Sequence, residues 1–278
     1  MKKGQTFIGI GVPRAGTTWM YNLLDSHEGI YMSPKKEVNY FDMNYDKGRK
    51  WYKQFFRKKR EKHTHAGEFS PQYIFRPQVI RRIKQYGRIK KFIIIFRDPI
   101  DRVLSDYRRS IIQDGYSKSF ESFIDDYPEV AESYLYGKSL ERWFNAFERD
   151  RFLILMYENA FDDLESTVDR LASFLEVSSS RFHKKSIDKK INSAQVPAKV
   201  KIFTGIKKIT SAAQSVGAGP LINLLKSIGF TKRLYKRIFG VLSSNQVFRK
   251  HDKYLAKKIF KKDTKKLQKV LDRPVPWA

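Results

Sequence analysis

Arg14, Gly16, Thr17 and Thr18 stand together in the segment Val12-Pro13-Arg14-Ala15-Gly16-Thr17-Thr18-Trp19. The apolar run before them, Phe7 to Val12, reads as a short buried strand. From Thr17 onward, Trp19, Met20, Leu23 and Leu24 share one face of a helix. Strand, glycine-containing loop and helix start make a cradle for a phosphate, because the first helical amides aim their N–H groups at an anion in the loop. Gly11 and Gly16 have the spacing of G-x-x-x-x-G-K-[ST], yet Thr17 fills the lysine position. A phosphoryl-transfer loop sets that lysine on the β/γ-phosphates and the next hydroxyl on Mg²⁺. Here the loop offers Arg14 and two hydroxyls, a set that suits an anion handled without a metal. A purely structural corner with a surface arginine is the plain alternative.

A second group follows the run Lys91 to Phe96, whose continuous apolar character is that of a parallel strand covered on both faces. Arg97 falls at its C-terminal end, where open α/β sheets bind ligands. Pro99 suits the first turn of the next helix. Ser105, eight residues past Arg97, lies two turns into that helix, so the two side chains can converge on one phosphate. Helix capping by Arg97 and Asp98 is the competing reading. Glu37 follows Lys35 and Lys36, just past a short strand at Gly29–Met32. A carboxylate beside two lysines is ordinarily a surface ion pair, but its place at a strand end makes it a candidate site residue. Tyr157 closes a further apolar run, Phe152 to Met156. His63 and His65 have no carboxylate pair around them to complete a metal set.

The elements that must position these residues alternate strand and helix as far as Glu176. Helices are expected at Pro77–Tyr86, Ser139–Arg149 and Phe161–Glu176. The alternation predicts a P-loop-like parallel α/β sheet covered by helices on both faces, over residues 1–180. Residues 181–278 read as a basic helical extension packed on or capping that core. Leu221 to Phe239 is a basic amphipathic helix interrupted near Gly229, and a lysine-rich helix runs from Lys250 to Leu271. The extension holds 25 lysines and arginines against 4 carboxylates, whereas the first 180 residues hold 31 against 25. Of the net charge of +27, most therefore sits in the last third, which points to an anionic partner: nucleic acid, a membrane surface or a polyanionic substrate.

With 278 residues the chain can bury a proper core, and its lack of cysteine excludes disulfides and thiolate metal sites. No run of about 18 apolar residues is present, and Met1-Lys2-Lys3-Gly4 leads directly into a strand. A soluble, cytoplasmic protein, peripheral at a membrane if the basic region binds lipid, is expected.

Taken together, VPRAGTTW (Val12 to Trp19) and IIIFRDPIDRVLSDY (Ile93 to Tyr107) resemble the 5′-phosphosulfate loop and the 3′-phosphate motif of sulfotransferases. Those enzymes use 3′-phosphoadenosine 5′-phosphosulfate (PAPS). KKEVNYFD (Lys35 to Asp42) resembles the segment that carries the catalytic glutamate in the heparan sulfate branch, and VPRAGTTWMYNLLDSH is equally similar to tyrosylprotein sulfotransferases. The likeness covers roughly Thr6 to Glu176. It implies that Arg14 contacts the 5′-phosphosulfate and acts in catalysis, and that Ala15, Gly16, Thr17 and Thr18 supply amides and hydroxyls to the 5′-phosphate. It further implies that Trp19 and Tyr157 lie at the adenine, that Arg97 and Ser105 hold the 3′-phosphate, and that Glu37 is the general base. No metal is implied. Where glycosaminoglycan enzymes read Glu-Lys-Thr-Pro this chain has Glu68-Phe69-Ser70-Pro71, so their second catalytic lysine is missing. Nor is there an Arg-Lys-Gly 3′-phosphate loop late in the chain, whose place a lysine of the basic region would take.

The resulting expectation is sulfuryl transfer from PAPS to a hydroxyl, on a carbohydrate or glycolipid, with no nucleic-acid partner. A tyrosylprotein-type acceptor is the nearest alternative. A P-loop kinase and a catalytically inactive nucleic-acid- or membrane-binding protein are the more distant ones.

Overall fold

The computed structural model describes residues 5–58, 61–128, 132–183 and 250–278. Five segments form one parallel sheet: β1 (Gln5–Gly11), β2 (Ile30–Met32), β3 (His65–Phe69), β4 (Ile89–Phe96) and β5 (Phe152–Met156), in the order β2-β3-β1-β4-β5. In β4, Phe92 to Phe96 are each fully buried, as a central strand covered on both faces requires. Register between β1 and β3 is fixed by a reciprocal fit, since Phe7 lies opposite Gly67 and Phe69 opposite Gly9. A Cβ on either glycine would stand 2.3 Å from the partner's ring. Each ring therefore lies over the other strand's bare backbone, and a one-residue slip would destroy both contacts.

Helices α1 (Thr17–Asp25), α2 (Gly48–Lys53), α3 (Pro77–Tyr86) and α4 (Pro99–Arg109) join or follow the first four strands. Then come α5 (Phe120–Asp126), α6 (Tyr136–Phe144), α7 (Tyr157–Asp162), α8 (Leu164–Leu175) and α9 (Lys250–Leu271). The expected doubly covered parallel α/β architecture and the helix at Lys250–Leu271 are both present.

Two helices depart from expectation. The helix expected at Ser139–Arg149 begins earlier, at Tyr136, because the buried Asp263 of α9 accepts hydrogen bonds from the amides of Gly137 (2.8 Å) and Lys138 (3.0 Å). A carboxylate more than a hundred residues away thus caps α6. The expected helix Phe161–Glu176 is instead two helices broken at Asp163. That residue has non-helical dihedrals, and its side chain accepts from Ser166 N at 3.0 Å to start α8. Tyr157, expected at the end of a strand, opens α7.

The chain divides into two compact units: Met1–Arg102 with Tyr127–Ile191 and Ile259–Ala278, and Val103–Asp126 with Asn192–Lys258. The first contains the whole sheet. In the second, Tyr107 packs between Phe120 and Phe123 and donates to Lys118 O at 2.9 Å. The expected basic amphipathic helix at Leu221–Phe239 lies outside the described residues. No helix of the described residues is long and apolar enough to cross a membrane.

Candidate active site

All five strands run parallel, so the ends of β1, β3, β4 and β5 open onto the same edge of the sheet, with β1 at its centre. The order of connections reverses beside β1, the position where such sheets form a ligand crevice. The loop after β1 continues its pairing with β4 through Val12 N to Ile95 O at 2.9 Å. Two arginines then hold successive loop carbonyls: Arg102 Nε donates to Pro13 O at 2.9 Å, and Arg97 Nη1 donates to Arg14 O at 3.1 Å. Arg102 is 1% exposed, lies 4.3 Å from the Tyr134 ring centre, and also donates to Ser133 O (2.6 Å) and Ser133 Oγ (3.2 Å). It is a buried strut beneath the loop, and nothing in its spacing set it apart from the other arginines of α4.

Arg14 and Gly16 both have left-handed backbone, with φ of 66° and 74°. At Gly16 a Cβ would also come within 2.7 Å of the Phe161 ring, so glycine is required twice over. Gly16 caps α1 without a side chain, and the first turn of α1 contains no acid. The amides of Thr17, Thr18 and Trp19 have no carbonyl to bond within the helix and present the positive end of the helix dipole to the loop. Ala15 and Thr17 are buried, and Arg14 and Thr18 are exposed.

Beside this loop an aromatic line ties three elements together. The Arg97 guanidinium lies 4.8 Å from the Tyr157 ring centre, Tyr157 lies 4.5 Å from Phe161, and Phe161 lies 4.8 Å from Trp19. Trp19 is only 2% exposed and packs into the core, whereas Tyr157 is half-buried. Phe161, which sequence reasoning placed only in a helix, is the link between them. Arg97 Nε is buried and has no hydrogen-bond partner among the described residues. Asp98, not Arg97, caps the helix, accepting from Ile100 N at 2.8 Å. Ser105 is half-buried in the part of α4 that belongs to the second unit.

Glu37 stands in the loop after β2. Its amide donates to Phe69 O at 3.0 Å, which fastens the loop to the end of β3. Its carboxylate is 45% exposed and pairs with Lys36 Nζ at 3.3 Å. The loop takes left-handed backbone at both Glu37 (φ 63°) and Asn39 (φ 51°). Below it lies a carboxylate at the expected strand end whose burial among hydroxyls was not legible in the sequence. Glu68 is fully buried at the end of β3 and accepts from Ser70 Oγ (2.7 Å), Tyr52 OH (3.2 Å) and Tyr73 OH (3.3 Å). Burial pushes its carboxyl up to about 7, against the opposing effect of those three donors. Among the described residues no group of three His, Cys, Asp or Glu side chains could hold a metal.

The edge of the sheet thus gathers a glycine-containing loop at a helix N-terminus, an arginine whose buried Nε has no partner among the described residues, and a carboxylate on an adjoining loop. A family model described as "Sulfotransferase domain" matches residues 4–202. The chain is 34% identical over 151 residues to the membrane-associated sulfotransferase kil1 of Dictyostelium discoideum, covering 51% of this chain and 32% of that protein. It is 27% identical over 175 residues to the human heparan sulfate glucosamine 3-O-sulfotransferase 3B1, covering 60% of this chain and 44% of that one. The chain therefore spans less than half the length of these two relatives. A solved sulfotransferase from Alicyclobacillus acidocaldarius shares its fold, with a TM-score of 0.64 at 18% identity over 98% of this chain and 97% of that one. The family match covers well over half of the chain, including both loops of the crevice, and the chain belongs to the sulfotransferase domain family.

Proposed function

We propose that this chain transfers a sulfuryl group from PAPS to a hydroxyl of a carbohydrate, with Glu37 as general base. The observation that carries the reading is the placement of Arg97, which grips the Arg14 carbonyl with one nitrogen while its buried Nε has no partner among the described residues. A buried donor of this kind calls for an acceptor, and a phosphate at the end of β4 would provide one. PAPS, when bound, supplies an activated sulfuryl group on a phosphate that leaves readily.

The protein's own residues have three tasks. The first-turn amides of α1, with Thr17 and Thr18, hold the 5′-phosphate in the loop, and Arg14 stabilises the charge that grows on its bridging oxygen as the S–O bond breaks. Arg97 holds the 3′-phosphate, and Tyr157, with Trp19 behind it, lines the adenine side. Glu37 takes the proton of the acceptor hydroxyl as the new S–O bond forms, leaving a sulfate ester and 3′,5′-ADP. A sulfuryl group carries less negative charge than a phosphoryl, so positioning and these donors suffice for the transfer.

The relatives named for heparan sulfate support a carbohydrate acceptor, and the excess of 25 basic over 4 acidic residues in positions 181–278 suits one that is anionic or lipid-linked. Incubation with ³⁵S-labelled PAPS and three acceptors, a desulfated heparin, a glycolipid and a tyrosine-containing acidic peptide, tests this. Label is expected in a carbohydrate with equal release of 3′,5′-ADP. Label confined to the peptide would overturn the carbohydrate assignment, and no transfer to any of them would overturn the reading as a whole.

A further inference from the structure

Glu68 is used by no step above, yet it is fully buried and surrounded by hydroxyls. Two of these hydroxyls face both ways. Ser70 Oγ donates to Glu68 Oε2 at 2.7 Å and accepts from the amide of Asn39 at 3.1 Å. Tyr73 OH donates to Glu68 Oε1 at 3.3 Å and accepts from the amide of Phe41 at 3.0 Å. Asn39 and Phe41 are the second and fourth residues after Glu37, in the same loop, and Asn39 shares its left-handed backbone. We infer that Glu68 is a positioning residue which, through Ser70 and Tyr73, fixes the loop that presents Glu37 to the acceptor. The inference rests on the assignment of Glu37 as the base.

Hydrogen-bond polarity couples the carboxylate to the loop. A hydroxyl has a single hydrogen, so once that hydrogen is given to Glu68, only lone pairs face the loop. An ionised carboxylate accepts and never donates, and it therefore turns both hydroxyls toward itself and their lone pairs toward the amides of Asn39 and Phe41. A protonated Glu68 has a donor of its own. Where that donor is given to Ser70 or Tyr73, the hydroxyl's own hydrogen is released from the carboxyl, and the orientation of its lone pairs toward the loop amide is no longer fixed. Glu68 is thus a proton-dependent latch under the Glu37 loop.

The groups that face it are Tyr52 from α2, Ser70 and Tyr73 from the turn after β3, and Asp42 from the Glu37 loop, whose charge raises the carboxyl further. Arg76 and Arg82 are the cations that act on Asp42, and the Arg82 guanidinium holds the carbonyls of Phe41 (2.9 Å) and Asp42 (2.8 Å). With the carboxyl pushed up to about 7, the latch changes state close to neutral pH. The folded protein holds this proton more tightly than the unfolded chain. From this group, stability is therefore greatest below the ordinary carboxylate range and falls as pH rises from there through about 7. The ordering of the loop runs in the opposite sense and improves as Glu68 ionises.

The test compares wild type, Glu68→Gln and Tyr73→Phe as full chains between about pH 5.5 and 8.5, a range that brackets the shifted carboxyl. It reads kcat and KM with PAPS and desulfated heparin, and hydrogen exchange of the Asn39 and Phe41 amides corrected for intrinsic rates. In wild type, protection of both amides should rise through about pH 7. Glutamine cannot titrate, and its amide nitrogen donates. Glu68→Gln should therefore give protection that no longer depends on pH, and a kcat roughly ten-fold lower with KM for PAPS unchanged. Tyr73→Phe removes one relay hydroxyl while retaining the ring. It should lower protection at Phe41 and leave Asn39 protected, and it serves as the test if Glu68→Gln does not fold. Equal protection at every pH in wild type and variants, with equal kcat, would overturn the inference. Full activity in Glu37→Gln would instead overturn the base assignment, which separates the two failures.

Discussion

Replacing Glu37 by glutamine is expected to lower kcat by about 10²–10⁴-fold, the usual contribution of a positioned general base. Glutamine keeps the size of the side chain and can still accept a hydrogen bond from the acceptor hydroxyl. It cannot take the proton, and the oxygen that attacks sulfur must lose that proton as the new bond forms. The fold should not change, because the loop is fastened through the backbone amide of residue 37 to Phe69 O, not through the carboxylate. The side chain is 45% exposed and its ion pair with Lys36 is solvated, so little stability depends on it. Affinity for 3′,5′-ADP should likewise remain within about two-fold, since uniform binding is separate from the chemical step. Steady-state kinetics beside calorimetric titration of 3′,5′-ADP would measure both quantities. A kcat near that of wild type would remove Glu37 from the role.

Arg97→Ala is expected to act on the other half of the reaction, nucleotide binding. A charge-assisted hydrogen bond to a phosphate contributes about 1.5–3 kcal/mol, so Kd for 3′,5′-ADP should rise roughly ten- to hundred-fold. Arg97 also braces the Arg14 carbonyl, and its loss slackens the 5′-phosphate loop as well. The two effects separate by comparing ligands. Loss of a 3′-phosphate contact weakens 3′,5′-ADP much more than 5′-ADP, whereas a slack loop weakens both alike. Arg97→Lys should recover part of the discrimination, because it restores the charge without the fork that reaches Arg14 O and the ligand together. Equal, small losses for both nucleotides would mean that Arg97 only shapes the loop.

The parts of this site that lie along the chain were legible in it. Phe92 to Phe96 is unbroken by polar residues because this part of β4 is covered on both faces, and Pro99 does open α4. The strand–loop–helix at Phe7 to Asp25 follows from a β-branched run, a glycine and a helical period, all local signals. The features that were missed depend on contacts through space. Arg102 looks like any arginine of an amphipathic helix until Pro13 and Ser133 are placed around it. Glu68 sits in a short strand with nothing in its neighbours to suggest that Tyr52 and Tyr73 close over it. Trp19 satisfies a helical apolar face and a nucleotide motif equally well, and its 2% exposure follows from Phe161, far away in sequence. The break at Asp163 was the exception, since an aspartate three residues ahead of Ser166 is a local capping signal that the longer apolar period obscured.

The most direct test of the account is the thermal stability of the protein with 3′,5′-ADP, 5′-ADP and Mg·ATP at equal concentrations. A ligand at ~100 times its Kd adds about 2.7 kcal/mol, enough to move the melting transition by several degrees. The account predicts a clear rise with 3′,5′-ADP, a much smaller one with 5′-ADP, and none that requires magnesium. A rise with Mg·ATP alone, or an equal rise with both ADP isomers, would contradict it.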